Sequence, residues 1–415
     1  MRNGWIALSV VFAASFLTEA AAADAREDLR GAGATFPYAV FSGVSDPCFW
    51  CVACAACRIL VYEKWMLAIS SKSQTDKVTF SYNGTNSKAG RQCVKDGACG
   101  FAGTDSAPSA EERAQAPGLW LFPVLAGAVA IGFNLPDYAD LELRIPRQSL
   151  ADIFLGRVSH WSNLSQWNPR LKDVHQSIDL VVRSDSSGTS ETLTSALSSF
   201  SSEWKGKVGT SSKPNWPVHA IAADSTDAVA LTILRQPYSL GYLSLANSFD
   251  VPTACIQNRF GQFVAPSASS VEAAIDDVAA KSVEEMGRDE TIFAQSIVDP
   301  RNMSAAYPIS TLSYILFDLN ANATLHDCQR VQRVVYLLYW AWTDPRAAEI
   351  ALGLSFAPLS AAMRSALLAK LQNLDCGDVP ESGSKEASPS ARMSLLERVK
   401  YTITPIVIGA GASSP

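Results

Sequence analysis

Four short segments of this chain carry residue types able to hold an oxyanion. In Val181-Val182-Arg183-Ser184-Asp185-Ser186-Ser187-Gly188-Thr189-Ser190 an apolar strand runs into a charged, hydroxyl-rich turn and then into helical sequence from Glu191 to Leu197. The first amides of a helix have no intrahelical partner and sit at the positive end of its dipole, so Ser187, Gly188 and Thr189 can offer main-chain and hydroxyl donors together. Gly188 lets the backbone approach closely. Arg183 adds a planar, permanently charged fork, and Asp185, two residues on, can hold that guanidinium in place. The plainer alternative is an N-capping Ser/Thr cluster beside a surface salt bridge.

The other three segments are weaker taken singly. Gly31 to Pro37 (GAGATFP) closes a short strand with the donors of Thr35, but no GxGxxG or GK[ST] pattern follows it. Tyr82 to Gly90 (YNGTNSKAG) passes from strand to a donor-rich turn in which Ser87 is placed to face a ligand. Gly100 to Pro108 (GFAGTDSAP) ends an apolar strand in one carboxylate, Asp105. A carboxylate fits an anion site if the anion carries a proton it can accept, whereas a fully ionised oxyanion would meet like charge. Alternatively Asp105 caps the helix opening at Ser109, where Ser109 and Glu112 have capping-box spacing.

The surrounding pattern predicts the elements that position these segments. Strands are expected over Lys77 to Tyr82, Gly118 to Asn134 and Ile178 to Arg183, alternating with helical stretches, which indicates α/β layers. A chain of 415 residues with 48% hydrophobic content has room for two domains, each with its own core. A net charge of −6 without any long Lys/Arg run argues against nucleic acid as a partner. Arg2, the apolar stretch from Trp5 to Leu17 and the small residues from Ala20 to Ala25 read as a signal peptide over residues 1–25, hence a secreted, periplasmic or extracellular protein. The alternative, a membrane anchor, would need about 20 apolar residues. Nine cysteines suit an oxidising compartment, with Cys93 and Cys99 able to close a small loop and Cys328 with Cys376 able to staple the last helical region. Sequons stand at Asn83, Asn163, Asn302 and Asn322. Residues 376–402 have linker composition, and 403–415 end in GAGASSP, which repeats five of the seven positions of GAGATFP and reads as the start of a second copy of the domain.

In this order the four segments resemble the phosphate-binding proteins that serve bacterial ABC phosphate transporters. The likeness spans about Gly31 to Leu374 and rests on GAGATFP at Gly31, YNGTNSKAG at Tyr82, FAGTD at Phe101 and RSDSSGTS at Arg183, with LGYLSLA at Leu240 and YPISTLSYIL at Tyr307 in register. The resemblance implies a two-domain periplasmic-binding-protein fold, each domain a mixed sheet flanked by helices, with domain I over 26–133 and 307–375 and domain II over 134–306. It implies one inorganic phosphate held in the inter-domain cleft by Thr35, Phe36 (through its amide), Ser87, Asp105, Arg183, Ser187, Gly188 and Thr189, with Asp185 orienting Arg183. No cofactor, no metal and no catalysis are expected, and the implied partner is an ABC permease in the membrane, served by a monomer.

The chain departs from the family pattern in three places. Asn86 and Lys88 stand where the family has a Gly-rich turn, and Asn tolerates the positive φ such a turn can need. Residues 43–61 look inserted and hold Cys48, Cys51, Cys54 and Cys57, a spacing that superficially resembles iron–sulfur or zinc ligation but lacks the usual final spacing and Pro; a retained intron is the other reading. The tail after Cys376 has no counterpart. Two other functions stay open: a secreted phosphomonoesterase with Ser187 or Thr35 as nucleophile and Asp105 as acid or base, and an extracellular phosphate-binding or structural protein uncoupled from any transporter. His160, His175, His219 and His326 stand in unrelated contexts with no HExxH pattern.

Overall fold

The structure, a computed structural model, describes residues 27–34, 64–65, 68–69, 78–138, 140–248, 250–285, 296–319, 325–372 and 374. Twelve strands are described: β1 (Glu27–Gly33), β2 (Val78–Gly84), β3 (Phe101–Thr104), β4 (Leu119–Phe133), β5 (Arg144–Ile145), β6 (Asp179–Arg183), β7 (Ile221–Ala223), β8 (Ser239–Ser244), β9 (Cys255–Gln257), β10 (Phe263–Val264), β11 (Ser310–Asp318) and β12 (Ala357–Pro358). The helices described are α1 (Ser87–Lys95), α2 (Ala110–Gln115), α3 (Arg147–Phe154), α4 (Gly188–Phe200), α5 (Ser202–Lys207), α6 (Thr226–Arg235), α7 (Ala268–Glu285), α8 (Leu325–Thr343), α9 (Pro345–Gly353) and α10 (Ala361–Leu371).

The main sheet runs β2-β1-β3-β11-β4-β8-β6-β7, with β12 beside β4; β10-β9-β5 form a smaller one. β1 pairs in parallel with β2 and β3, and β6 in parallel with β7 and β8. Between these parallel groups lie β4 and β11, antiparallel to their neighbours. β4 joins the halves. Its sequence, LWLFPVLAGAVAIGF, is apolar throughout and all but Trp120 is buried, as expected of a strand covered on both faces. Its first part, Leu119 to Ala128, pairs with β11, and Val129 to Phe133 pairs with β8.

One irregularity in this pairing reaches the site. Ser313 pairs with Leu125 and Tyr314 with Pro123, so the register skips Val124. Pro123 has no N–H for a ladder bond, and a bulge beside such a residue re-aims the side chains around it.

Aromatic side chains fix how helices lie on the sheet. Trp65 donates to the Ala347 carbonyl at 3.0 Å and Trp342 to the Pro123 carbonyl at 3.1 Å. Phe154, Trp204, Trp216 and Tyr242 pack with ring centroids 5.5–6.4 Å apart behind β6 and α4. Cys93 and Cys99 form a disulfide that closes the turn between α1 and β3. Cys328 is also disulfide-bonded, while Cys376, its expected partner, lies outside the described residues.

The fold is mixed α/β, as expected. The Gly31–Gly33 run differs from expectation in lying inside β1 and not after a strand, and α4 starts at Gly188 and not at Glu191. No described helix is long and apolar enough to cross a membrane. The expected signal peptide, the 43–61 insertion with its four cysteines, the linker and the repeat at 403–415 fall outside the described residues.

Candidate functional site

All four segments leave parallel strands at their C-terminal ends, where open α/β sheets collect ligands. At the end of β1, the Ala34 amide donates to the Gly103 carbonyl at 2.8 Å and the Tyr82 hydroxyl to the Ala34 carbonyl at 3.1 Å. Gly33 has φ +142°, and a Cβ on it would lie 2.0 Å from the Gly103 oxygen, so no other residue fits. Thr35 and Phe36 lie outside the described residues.

The second segment opens α1. Asn86 is its N-cap, extended at φ −148°, and its side chain accepts the Ala89 amide proton at 2.9 Å. The left-handed turn that its Asn allowed does not form, because the N-cap geometry satisfies an orphan helix amide instead. Ser87 is buried at the start of the helix, and Lys88 is exposed. The buried face of α1 reads Ser87, Gly90, Arg91 and Val94, one stripe at helical spacing.

Asp105 leaves β3 and is 7% exposed. Its carboxylate accepts from the Ser313 hydroxyl at 2.8 Å, and its amide faces the Ser87 hydroxyl at 3.4 Å. It does not cap α2; Ser109 does so, in a reciprocal capping box with Glu112. Burial pushes the Asp105 carboxyl up to about 7, with Glu191 adding to the rise and Ser313, Arg183 and Arg91 opposing it. A buried cluster beside two helix starts thus contains one carboxyl group poised to lose its proton near neutrality.

The fourth segment positions a guanidinium and a helix end. The Arg183 side chain is only 2% exposed and its fork is matched by Asp185, Nε to Oδ1 at 2.7 Å and Nη2 to Oδ2 at 2.6 Å, with Nη1 donating to the Thr226 hydroxyl at 2.8 Å. Of five N–H groups on a guanidinium these take three, leaving one on each Nη. The Arg183 amide donates to the Tyr242 hydroxyl at 3.1 Å, which also shares a 2.7 Å hydrogen bond with Ser190, so one buried ring pins the end of β6 and the first turn of α4. Burial holds Tyr242 protonated, its hydroxyl pushed up to about 12. Ser187 is the N-cap of α4, its hydroxyl accepting the Thr189 amide at 3.1 Å and its own amide donating to the Ser212 carbonyl at 2.9 Å.

The two helix starts meet at Gly188. A Cβ built there would lie 2.6 Å from the Asp105 Cβ, 3.1 Å from the Ser87 Oγ and 3.2 Å from the Asp105 Oδ2. The structure therefore brings Ser87, Asp105 and Gly188 into contact, with Ser187 and Thr189 beside Gly188 on α4. Sequence reasoning did not find Ser313, Tyr242, Thr226, Arg91 or Glu191. For Arg91 a signal existed, since it follows Ser87 by four residues and shares its helix face. The others reach the site through tertiary pairing, with no local pattern to mark them.

Residues 59–325, well over half of the chain, match the family model described as a PBP superfamily domain. The chain is 30% identical over 238 residues to the Phosphate-binding protein PstS of Methanocaldococcus jannaschii, a match covering 55% of this chain and 61% of that protein, less than two thirds of the relative. It is 28% identical over 357 residues to the Phosphate-binding protein PstS of Pasteurella multocida, covering 85% of this chain and 90% of the relative. A solved human phosphate binding apolipoprotein superposes with a TM-score of 0.60 at 20% identity, over 82% of this chain and 94% of that one, a likeness of fold. With a family model covering most of its length and PstS proteins among its relatives, the chain belongs to the PBP superfamily.

Proposed function

We propose that this protein binds one inorganic phosphate between the N-termini of α1 and α4, as the solute-binding component of phosphate uptake. The observation that carries this reading is the buried Asp105 against Gly188 and Ser87, a carboxyl group set at the starts of two helices. Ser87, Gly188, Thr189 and the two remaining N–H groups of Arg183 supply charge-assisted donors to the oxyanion. Thr35 and the Phe36 amide, which follow β1 in the sequence and lie outside the described residues, belong to the same set in this reading. A phosphate P–OH gives Asp105 something to accept, while sulfate, lacking that proton, meets an ionised carboxylate. The names of the PstS relatives support phosphate as ligand. The same reading makes this a secreted or periplasmic protein that works with a membrane permease, and a monomer suffices for one such cleft.

The protein acts as a binder and not as an enzyme. The Ser187 hydroxyl accepts from the Thr189 amide, the arrangement of a helix cap and not of a nucleophile paired with a base. Calorimetry tests the reading: micromolar or tighter binding of phosphate, competition by arsenate, and rejection of sulfate that strengthens as pH rises through about 7, where Asp105 ionises. In Asp105→Asn, phosphate should weaken and sulfate should enter. Unchanged phosphate affinity with sulfate still excluded would show that the carboxylate does not select the ligand. Turnover of p-nitrophenyl phosphate lost in Asp105→Ala would favour the esterase instead.

A further inference from the structure

The two residues that flank Asp105 are held by one side chain. Arg91 on α1 is 9% exposed, and its Nη1 donates to the Thr104 hydroxyl at 3.1 Å and to the Ser106 hydroxyl at 2.9 Å. The buried Thr104 hydroxyl also accepts from the Ser106 amide at 3.3 Å and donates to the Ser106 carbonyl at 2.8 Å, so its one proton and both lone pairs are in use. The chain thus closes a tight turn around Asp105 with the guanidinium as its outer fastening. Nε of the same guanidinium donates to Glu112 at 3.2 Å, and Glu112 closes the capping box of α2, so the buried charge is matched by a carboxylate that is itself fixed. Arg91 follows Ser87 by one helical turn, and the Ser87 hydroxyl faces the Asp105 amide at 3.4 Å. α1 therefore meets this turn twice, with Ser87 at the Asp105 amide and Arg91 at both neighbours. The Cys93–Cys99 disulfide ties α1 to the residues that enter β3, and Arg91 ties it to those that leave.

We propose that Arg91 is a positioning residue for the anion site: by gripping Thr104 and Ser106 together it sets the Asp105 carboxylate against Ser87 and the start of α4. It touches no ligand. Its effect on phosphate rests on the function proposed above, whereas the fastening of the Asp105 turn does not. Against the burial that raises the Asp105 carboxyl stand the Ser313 hydroxyl of β11, Arg183 at the end of β6 and Arg91, while Glu191 of α4 adds to the rise and Glu112 faces Arg91 from α2. Removing the Arg91 charge should therefore move Asp105 ionisation to higher pH, which a side chain acting by packing alone would not do.

Two measurements on phosphate-free protein and one with phosphate test this. Hydrogen exchange over Phe101 to Ser106 should speed up in Arg91→Met and in Ser106→Ala. Ser106→Ala leaves the Arg91–Glu112 pair intact and carries this test even where Arg91→Met does not fold. Carboxylate infrared absorption titrated with pH, read as the difference from the matching Asp105→Asn protein, should show Asp105 ionising at higher pH in Arg91→Met. In Arg91→Lys, which keeps the charge but loses the planar fork, ionisation should stay near wild type while exchange still speeds up. Unchanged exchange in both Arg91→Met and Ser106→Ala, or unmoved Asp105 ionisation in Arg91→Met, overturns the positioning role whatever the ligand is. In calorimetry with inorganic phosphate, Arg91→Met and Ser106→Ala should each weaken binding about tenfold, the order expected for losing a hydrogen bond to a charged group. Affinity within about twofold of wild type in both variants overturns the link to the ligand. Wild-type protein that fails to bind phosphate at all would instead count against the function proposed above, with the exchange and ionisation results still deciding the role of Arg91.

Discussion

Asp105 concentrates the chemistry of the site in one proton. An unfolded aspartate ionises near 3.9, whereas the buried native group holds its proton to about 7. Between those values the native state binds more protons than the unfolded chain, so the group lowers stability as pH rises and the loss levels off above about 7. Asp105→Asn keeps an oxygen to accept from Ser313 and has no proton to lose. Ligand-free Asp105→Asn should therefore match wild type near pH 4 and exceed it at pH 8, by a margin on the order of a few kcal/mol, read by denaturant titration at both values. Equal pH dependence of the two proteins would mean that water reaches the carboxylate and that burial does not set its proton affinity. Arg183 is managed differently: its charge is buried but matched on three N–H groups by Asp185 and Thr226, so it stays fixed without needing a ligand.

At the level of elements, the site is a set of close backbone approaches made possible by small residues. α1 lies so near the end of β1 that a Cβ on Gly90 would fall 2.4 Å from the Gly33 Cα and 2.7 Å from the Ala32 oxygen. Both obstacles are backbone, which cannot swing aside as a side-chain tip can. Alanine is worth about 1 kcal/mol over glycine inside a helix, but overpacking against rigid backbone outweighs it. Gly90→Ala is expected to lower stability by about 2 kcal/mol and to weaken phosphate binding, since Ser87 and the start of the first loop must both shift. A melting temperature at or above wild type would show that α1 can slide outward freely. The register shift at Pro123 plays the complementary part, setting Ser313 of β11 against Asp105, just past the end of β3.

Over the whole molecule, β4 is the shared element. Its pairing with β11 and then with β8 carries one continuous buried strand through both halves, so the proposed anion site lies between groups of strands tied to a common core. A ligand held by both halves stabilises the native state by mass action. Phosphate at about 100 times its dissociation constant should add about 2.7 kcal/mol and raise the melting temperature by a few degrees, whereas sulfate at the same concentration and pH 8 should not. An equal shift with sulfate would indicate a general anion effect in place of a selective site.

Much of this was legible in the chain itself, where the deciding interactions are local. The Ser109–Glu112 capping box, the strands around 78–84, 119–133 and 179–183, and the Arg183–Asp185 pair depend on residues within a few positions of each other, so spacing and periodicity reveal them. Resemblance to a family added the ligand and the order of the loops. Tertiary structure decided what no local pattern encodes. Ser313 meets Asp105 across 208 positions and Tyr242 meets Arg183 across 59, because sheet order and a single skipped residue beside Pro123 put them there. The burial that lifts Asp105 towards neutrality arises only once the two halves are packed, since desolvation belongs to the assembled site and not to any residue in it.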